Sequence, residues 1–389
     1  MKRVCIILFF ASFALTWLSS AQSQEDSNKN FGNLLAYYYL NPAPDKVPEA
    51  LENFISSEFF KSGKALQNNS DYIAAYSFGR IAQLNQSLIT QYEDLFNTTT
   101  HEGRLFILKI FQVCGNEQIK EFLNAKLKDK NFIKEKNEIS QVIEKGIPIK
   151  YNPLEKEVQD ASELDFLWAE FMITGNARVV QKIIDILEWP DHTRNKLNDY
   201  LKEVNLEKEK EGLVDLLASD YKIVCNMSNQ EVVTQDDLDI MIAASLQQQR
   251  IKSESFQKVK NALNLTKEDI LYMATKGIAN WSLTSNAQQH KKVFEICDAE
   301  ISKRSGSVKI GLLRIAAYCY VLDNNIEEAT SRLKQLVSLD PANVLAHFSL
   351  GAIYLKNKDI KNAIVEKDIL QSLDPISASD LAKKIELAQ

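Results

Sequence analysis

A 34-residue internal repeat near the C-terminal end constrains this chain more than any other feature of its sequence. The tetrapeptide Ser-Leu-Asp-Pro at residues 338–341 recurs at residues 372–375. Four further positions match at the same offset: Tyr320 with Tyr354, Ile326 with Ile360, Ala329 with Ala363, and Leu336 with Leu370. A fixed period of about 20–50 residues is typical of stacked units that bury their apolar faces on one another. The repeat therefore predicts stacked units over residues 310–377.

The two copies resemble the tetratricopeptide repeat family. The copy at residues 344–377 carries residues characteristic of that family: Leu350, Gly351, Tyr354, Ala363 and Pro375. The copy at residues 310–343 keeps three of these positions: Tyr320, Ala329 and Pro341. It has Ala316-Ala317 in place of Leu-Gly. The resemblance implies two helices per copy, with small residues where they approach closely and a tyrosine that fills the gap to the neighbouring hairpin.

Helices are predicted for the rest of the chain as well. Glycine and proline number only 12 and 8 among 389 residues, too few for the many tight turns of a β-sandwich or barrel. Residues 163–174 carry an apolar stripe with helical spacing, and Gly175 should end that helix. Residues 267–304 predict a divergent helical hairpin before the repeats. After the repeats, Leu381 and Ile385 predict a capping helix. We therefore expect an all-α protein, with a helical-hairpin solenoid and an additional helical N-terminal region.

The first 21 residues have the pattern of a signal peptide. Lys2 and Arg3 precede an apolar stretch at residues 4–18, and small residues precede Gln22. The remaining chain is expected to comprise a helical N-terminal region at 22–212 and a repeat domain at 234–389, divided by a polar, charged stretch. We therefore expect an exported protein, periplasmic or secreted.

Charge and hydropathy exclude several classes of partner. Removal of residues 1–21 leaves 44 basic and 52 acidic residues, because Lys2 and Arg3 are the only charges removed. An unclustered net charge of −8 disfavours nucleic acid and anionic membrane surfaces. No second long apolar run follows, so no membrane insertion is expected after signal removal.

Four cysteines remain after that cleavage, at positions 114, 225, 297 and 319. Two disulfides are possible in an oxidising compartment, and Cys297 with Cys319 would be the favoured pair because adjacent helices carry them. The alternative is that the cysteines are buried small apolar residues.

Catalytic and cofactor motifs are absent from the sequence. No histidine stands at zinc-ligand spacing, and there is no nucleophile elbow, phosphate loop or dinucleotide fingerprint. His347 is expected to be a core histidine. Glu163, Asp165 and Glu170 could in principle form a pair of glycosidase carboxylates, but helical spacing points Asp165 and Glu170 in different directions. We therefore expect no catalysis, no cofactor and no metal site.

The resemblance also implies a site for a partner. In that family the first helix of each hairpin lines a concave groove, and five positions per copy point into it. Here they are Gly311, Arg314, Tyr318, Val321, Leu322, Leu345, Phe348, Ala352, Leu355 and Lys356. The strongest candidates for partner contact are Arg314, Tyr318, Leu345, Phe348 and Lys356. The family's carboxylate clamp is missing, because Tyr318 and Ala352 stand where asparagine is needed.

These residues predict a groove for a protein or peptide partner, either an amphipathic helix or an apolar segment with an acidic end. An alternative is that another helix of the same chain fills the groove. The expected function is an exported binding scaffold. Two other functions stay open: an envelope or host-facing effector on the same scaffold, and an enzyme with an unrecognised site in the N-terminal half.

The signal-peptide prediction can be tested directly. The exported protein should begin near Gln22, because signal peptidase cleaves after small residues that follow an apolar stretch. Mass spectrometry of the N-terminal peptide checks this, and an exported chain that retains Met1 would contradict it.

Overall fold

The computed structural model describes residues 34–61, 70–144, 152–189, 257, 260–261 and 264–388. Within these ranges every regular element is a helix and no strand occurs, which confirms the all-α prediction. The described residues form two compact units, divided between Val179 and Val180. The signal segment and the predicted boundary at 212–234 lie outside the described residues.

The first unit consists of short helices joined by tight turns. Its α-helices are α1 (Val47–Ser56), α2 (Glu58–Lys61), α3 (Ser70–Leu84), α4 (Ser87–Thr98), α5 (His101–Cys114), α6 (Glu117–Leu127), α7 (Lys136–Glu144) and α8 (Ser162–Thr174). A 3₁₀ turn at Pro44–Lys46 precedes α1, and a second one at Lys130–Glu135 connects α6 to α7. The boundary between the units falls within α9 (Ala177–Leu187).

Local sequence signals explain where these helices begin and end. Thr100 caps α5, because its side chain accepts a hydrogen bond from the Gly103 amide, and Gly115 ends the helix with a φ of 57°. Gly175 ends α8 with a φ of 63°, as its sequence predicts. Left-handed backbone at these two ends favours glycine over residues with a side chain.

The core of the first unit forms where α3 and α5 approach closely. A Cβ atom at Gly79 would lie 2.5 Å from the Cβ of Val113 and 3.0 Å from the carbonyl oxygen of Ile110. Around this contact lies an aromatic cluster that includes Phe54, Phe78 and Phe106. The missing side chain at Gly79 therefore sets the distance between the two helices that carry much of this core.

The second unit contains the predicted repeats. Its helices are α10 (Lys267–Gln289), α11 (Lys291–Glu300), α12 (Gly306–Leu322), α13 (Ile326–Leu339), α14 (Val344–Lys356), α15 (Ile360–Leu373) and α16 (Pro375–Ala388). Each helix packs on the next one along the chain. The predicted hairpin at 267–304 is α10 with α11, and the predicted capping helix is α16, so both predictions are confirmed.

The repeated tyrosines contact the second helix of the preceding hairpin. The Tyr320 hydroxyl donates to Asp298 Oδ2 at 3.1 Å, and its ring meets Phe294 edge-on at 5.0 Å. One repeat later, the ring of Tyr354 lies 5.9 Å from the Nζ of Lys334. Both tyrosines therefore join successive hairpins, as expected from the repeat.

Gly351 has a different neighbour from the one predicted. A Cβ atom there would lie 2.4 Å from a methyl group of Leu381, on the capping helix α16. The glycine therefore permits a close approach of α14 to α16, and not to its own hairpin partner α15. The reason is that the last hairpin has α16 packed against α14 as well as α15.

The cysteine pair considered for a disulfide consists of free thiols. Cys297 and Cys319 are both buried, as is Cys114. Burial raises the pKa of Cys297 to about 12 and that of Cys319 to about 11, so both stay protonated and unreactive near neutral pH. They act as small apolar core residues, and Cys225 lies outside the described residues.

Substitution of Gly79 tests the close contact between α3 and α5. Gly79→Ala should lower the free energy of unfolding by about 1–3 kcal/mol, because the new methyl group would overlap Val113 and a backbone oxygen. Gly311→Ala in α12 is the control, since a Cβ atom there would meet nothing within 4 Å. That control should gain up to about 1 kcal/mol from helix propensity. Urea unfolding of both variants checks this, and equal effects would contradict it.

Candidate partner-binding surface

The sequence-predicted site residues lie on α12 and α14, and they differ in exposure. Tyr318 and Leu345 are 49% and 59% exposed, and Val321 and Leu322 beside Tyr318 are 40% and 55% exposed. We call these four residues, Tyr318, Val321, Leu322 and Leu345, the apolar strip. Three of them lie within five consecutive residues at the end of α12, and Leu345 lies near the start of α14. Exposed apolar side chains are common at interaction sites. All four residues stand among the positions predicted to line the groove, and the groove itself stays a prediction.

Phe348 was predicted to point into the partner groove, but in the structure it packs against other residues of the last hairpin. It is half-buried and packs against the buried cluster of Ala363, Leu370, Ala378, Leu381 and Ile385. The capping helix α16 supplies three members of that cluster, so α16 draws Phe348 into the core. Phe348 is therefore mainly a packing residue of the last hairpin.

Two cations border the apolar strip without an acidic partner among the described residues. Arg314 is half-buried and has no hydrogen bond or ion pair to any described group. Lys356 is exposed, and its Nζ donates to the side-chain oxygen of Asn324 at 2.7 Å. This bond joins the end of α14 to the turn after α12. Both positive charges stay available to an acidic group on a partner.

A small cleft between α10 and α12 was not found by sequence reasoning. Its lining residues are Leu187, Lys276, Gly277, Asn280, Ser307, Val308 and Gly311. Asn280 is only 9% exposed, and its side-chain oxygen Oδ1 is buried without a hydrogen-bond partner among the described residues. We call this feature the Asn280 cleft. One sequence feature pointed to this cleft. Gly277 and Gly311 are 34 residues apart, which is the period of the repeat.

The three carboxylates considered for catalysis have separate surroundings. Glu163 pairs with Lys156 at 2.5 Å. Glu170 accepts hydrogen bonds from the Tyr76 hydroxyl at 2.7 Å and from Arg80 at 2.9 and 3.0 Å, so it joins α8 to α3. Asp165 is buried and makes no hydrogen bond within the described part of the chain. The arrangement brings no two of these carboxylates onto a common partner.

Two buried contacts between histidine and glutamate side chains hold elements of the fold together. His347 is buried, with Nδ1 2.7 Å from Glu366 Oε2 and Nε2 3.0 Å from the Pro341 carbonyl oxygen, which confirms its predicted core role. Glu135 is buried, which raises its pKa, but hydrogen bonds from His101 and Arg104 lower the pKa below its usual value overall. The ionised Glu135 thereby holds α5 against the turn that precedes α7.

The described ranges contain no group of three or more histidine, cysteine or acidic side chains placed to hold a metal ion. None of the described helices has the length and apolar character needed to cross a bilayer.

Comparisons with known proteins give no match. The sequence matches no protein-family model and no curated protein, and the structure matches no solved structure.

The buried carboxyl of Asp165 gives a pH-dependent prediction. Burial raises its pKa to about 7, above the value of 3.8 expected when the chain is unfolded. The folded state then binds a proton that the unfolded state has lost, so stability falls as pH rises from about 4 to 7. Asp165→Asn should therefore stabilise the protein by about 2–4 kcal/mol at pH 8 and by little at pH 4.

Urea unfolding of both proteins at the two pH values measures this difference. Glu163→Gln is the control, because that carboxyl lies on the same helix but pairs with Lys156, whereas Asp165 has no such partner among the described residues. A gain for Asp165→Asn that is the same at both pH values would contradict the prediction.

Proposed function

We propose that this protein is an exported, tetratricopeptide-like scaffold that binds an apolar protein segment with an acidic end. The observation that carries the proposal is the apolar strip, with Arg314, which has no ion-pair partner among the described residues, on one side and Lys356 on the other. A partner with apolar side chains and an acidic residue complements both features. Export is proposed from the pattern of residues 1–21.

Recurring local geometry supports the tetratricopeptide-like part of the proposal. The turns inside the second and third hairpins each contain a left-handed residue, Asn324 with φ of 56° and Lys358 with φ of 59°, at the 34-residue offset. The next residue caps the following helix in both turns: Asn325 accepts from the Glu328 amide and Asp359 from the Asn362 amide. Sequence, turn conformation and caps thus repeat together.

The residue types of the strip favour tight binding by a few contacts. Aromatic and arginine side chains carry much of the energy of protein interfaces, especially when apolar neighbours exclude water around them. Tyr318 offers a large ring with a polar tip, and Val321 and Leu322 surround it with apolar surface. Arg314 is already half-buried, so its charge is screened less than that of a fully exposed cation.

The test needs a defined ligand, which a random dodecapeptide display library selected on the immobilised mature protein can supply. The selected peptides should combine apolar residues with an aspartate or glutamate near one end. Tyr318→Ser and Leu345→Ser should each weaken their binding by about 1–3 kcal/mol, because each removes apolar contact area. Fluorescence anisotropy gives the Kd, and the melting temperature should change little because both side chains are exposed.

Phe348→Ala is the matched control for a side chain that belongs to the core. It should lower the melting temperature clearly, because it opens a cavity beside Leu381 and Ile385. Arg314→Gln should weaken binding most for the peptides with an acidic end, and less at high salt. The proposal fails if peptide affinity is unchanged in Tyr318→Ser and Leu345→Ser.

A further inference from the structure

We infer that His347, Glu366 and the Pro341 carbonyl form a proton-dependent lock on the last repeat hairpin, closed when both ring nitrogens of His347 carry a proton. His347 lies on α14, Glu366 lies on α15, and Pro341 lies in the turn between α13 and α14. The lock therefore ties three consecutive parts of the chain together. It is independent of the proposed function, because it concerns contacts within the fold.

The first observation is that both ring nitrogens of His347 face acceptors. Nδ1 lies 2.7 Å from Glu366 Oε2, and Nε2 lies 3.0 Å from the Pro341 carbonyl oxygen. A neutral imidazole has one N–H donor and one acceptor nitrogen, whereas the imidazolium ion has two donors. A carbonyl oxygen has no proton to give, so Nε2 carries the proton of that bond. A second proton, between Nδ1 and Oε2, completes the lock.

The second proton belongs to the histidine rather than to the glutamate. Ordinary histidine holds its proton up to about pH 6.5, and ordinary glutamate only up to about pH 4.3. The favoured form is therefore a histidine cation against an ionised carboxylate, and such charged pairs form short, strong hydrogen bonds. A ring flipped by half a turn would direct C–H groups at both oxygens, so the observed orientation is the one that makes two hydrogen bonds.

The second observation is that the repeat does not need a polar residue at this position. The residues 34 positions before and after His347 are Leu313 and Leu381, and both are fully buried. His347 is itself 5% exposed, and Glu366 is 8% exposed. Burial of polar groups costs free energy unless each one is hydrogen-bonded. The histidine and the glutamate therefore depend on each other, and apolar packing of α14 does not explain them.

The charge around this histidine is simple. The helices α13, α15 and α16 all pack on α14, and within the described ranges Glu366 is the only side chain on them that pairs with His347. In the turn before α14, the Asp340 carboxylate accepts from the Asn343 side-chain amide at 2.9 Å. The ionisation of the lock is therefore set by His347 and Glu366.

Loss of the second proton should open the lock on one side. A neutral His347 keeps one N–H, and an ionised, buried Glu366 is more costly to leave unpaired than a neutral carbonyl group. The remaining proton should therefore stay on Nδ1, and the Pro341 turn should be released. The closed form holds one proton more than the released form, so a rise in pH above about 6.5 favours release. Leu345 of the apolar strip follows that turn directly, so one end of the strip adjoins a pH-sensitive contact.

NMR of the mature chain, with histidine isotopically labelled at its ring nitrogens, tests the lock directly. His347→Leu identifies the His347 signals by their absence. Both ring nitrogens should be protonated in acid, and only Nδ1 should remain protonated at about pH 9. Glu366→Gln is the matched control, because a glutamine amide donates to Nδ1. In that variant the single proton at the same pH should lie on Nε2, bonded to the Pro341 carbonyl.

Amide hydrogen exchange measures the release of the turn. In the unmodified protein, the protection of residues 342–347 should fall by up to about tenfold per pH unit above about pH 6.5, after correction for intrinsic exchange, because opening releases one proton. Glu366→Gln should show no such fall, since its lock stays closed with a neutral histidine.

Either of two results would overturn the inference. One is a His347 proton on Nε2 at about pH 9 in the unmodified protein, because Glu366 would then not hold Nδ1. The other is an equal fall of protection in the unmodified protein and in Glu366→Gln. The first readout needs no change at Glu366, so it decides the question even if that variant does not fold. Peptide binding by Tyr318→Ser and Leu345→Ser tests the proposed function separately, since neither substitution alters the lock.

Discussion

The burial of helix faces by sequential neighbours is the constraint on which the second unit depends. The buried residues of α12 include Leu312, Leu313, Ile315, Ala316 and Cys319, which cover nearly half of the helix circumference. A helix so apolar cannot be stable in water alone, and it gains its stability from α11 on one side and α13 on the other. The same need recurs in α14 and ends at α16, where Leu381 and Ile385 bury the last face. Surface left apolar after this packing, as at Tyr318 and Leu345, is therefore surface that the stack itself does not use.

The sequence predicted those features that depend on short stretches of chain. The Gly175 helix end, the α10–α11 hairpin, the capping helix and the contacts of Tyr320 and Tyr354 all follow from periodicity or from the 34-residue offset. The neighbour of Gly351 and the burial of Phe348 could not be predicted, because both depend on where α16 packs. The Asn280 cleft was missed for a related reason. A single polar residue within an apolar helical stripe shows its missing partner only when the facing helix is in place.

Buried charge in the first unit follows a consistent rule with one exception. Glu170 and Glu135 are each held by cations from another element, Arg80 in the first case and Arg104 in the second. Such pairs orient helices specifically, since removal of either partner leaves a buried charge alone. Asp165 has no counterpart of this kind among the described residues, and its carboxyl is accommodated by a raised pKa. A buried acid without a cationic partner lowers the stability of the folded state near neutral pH.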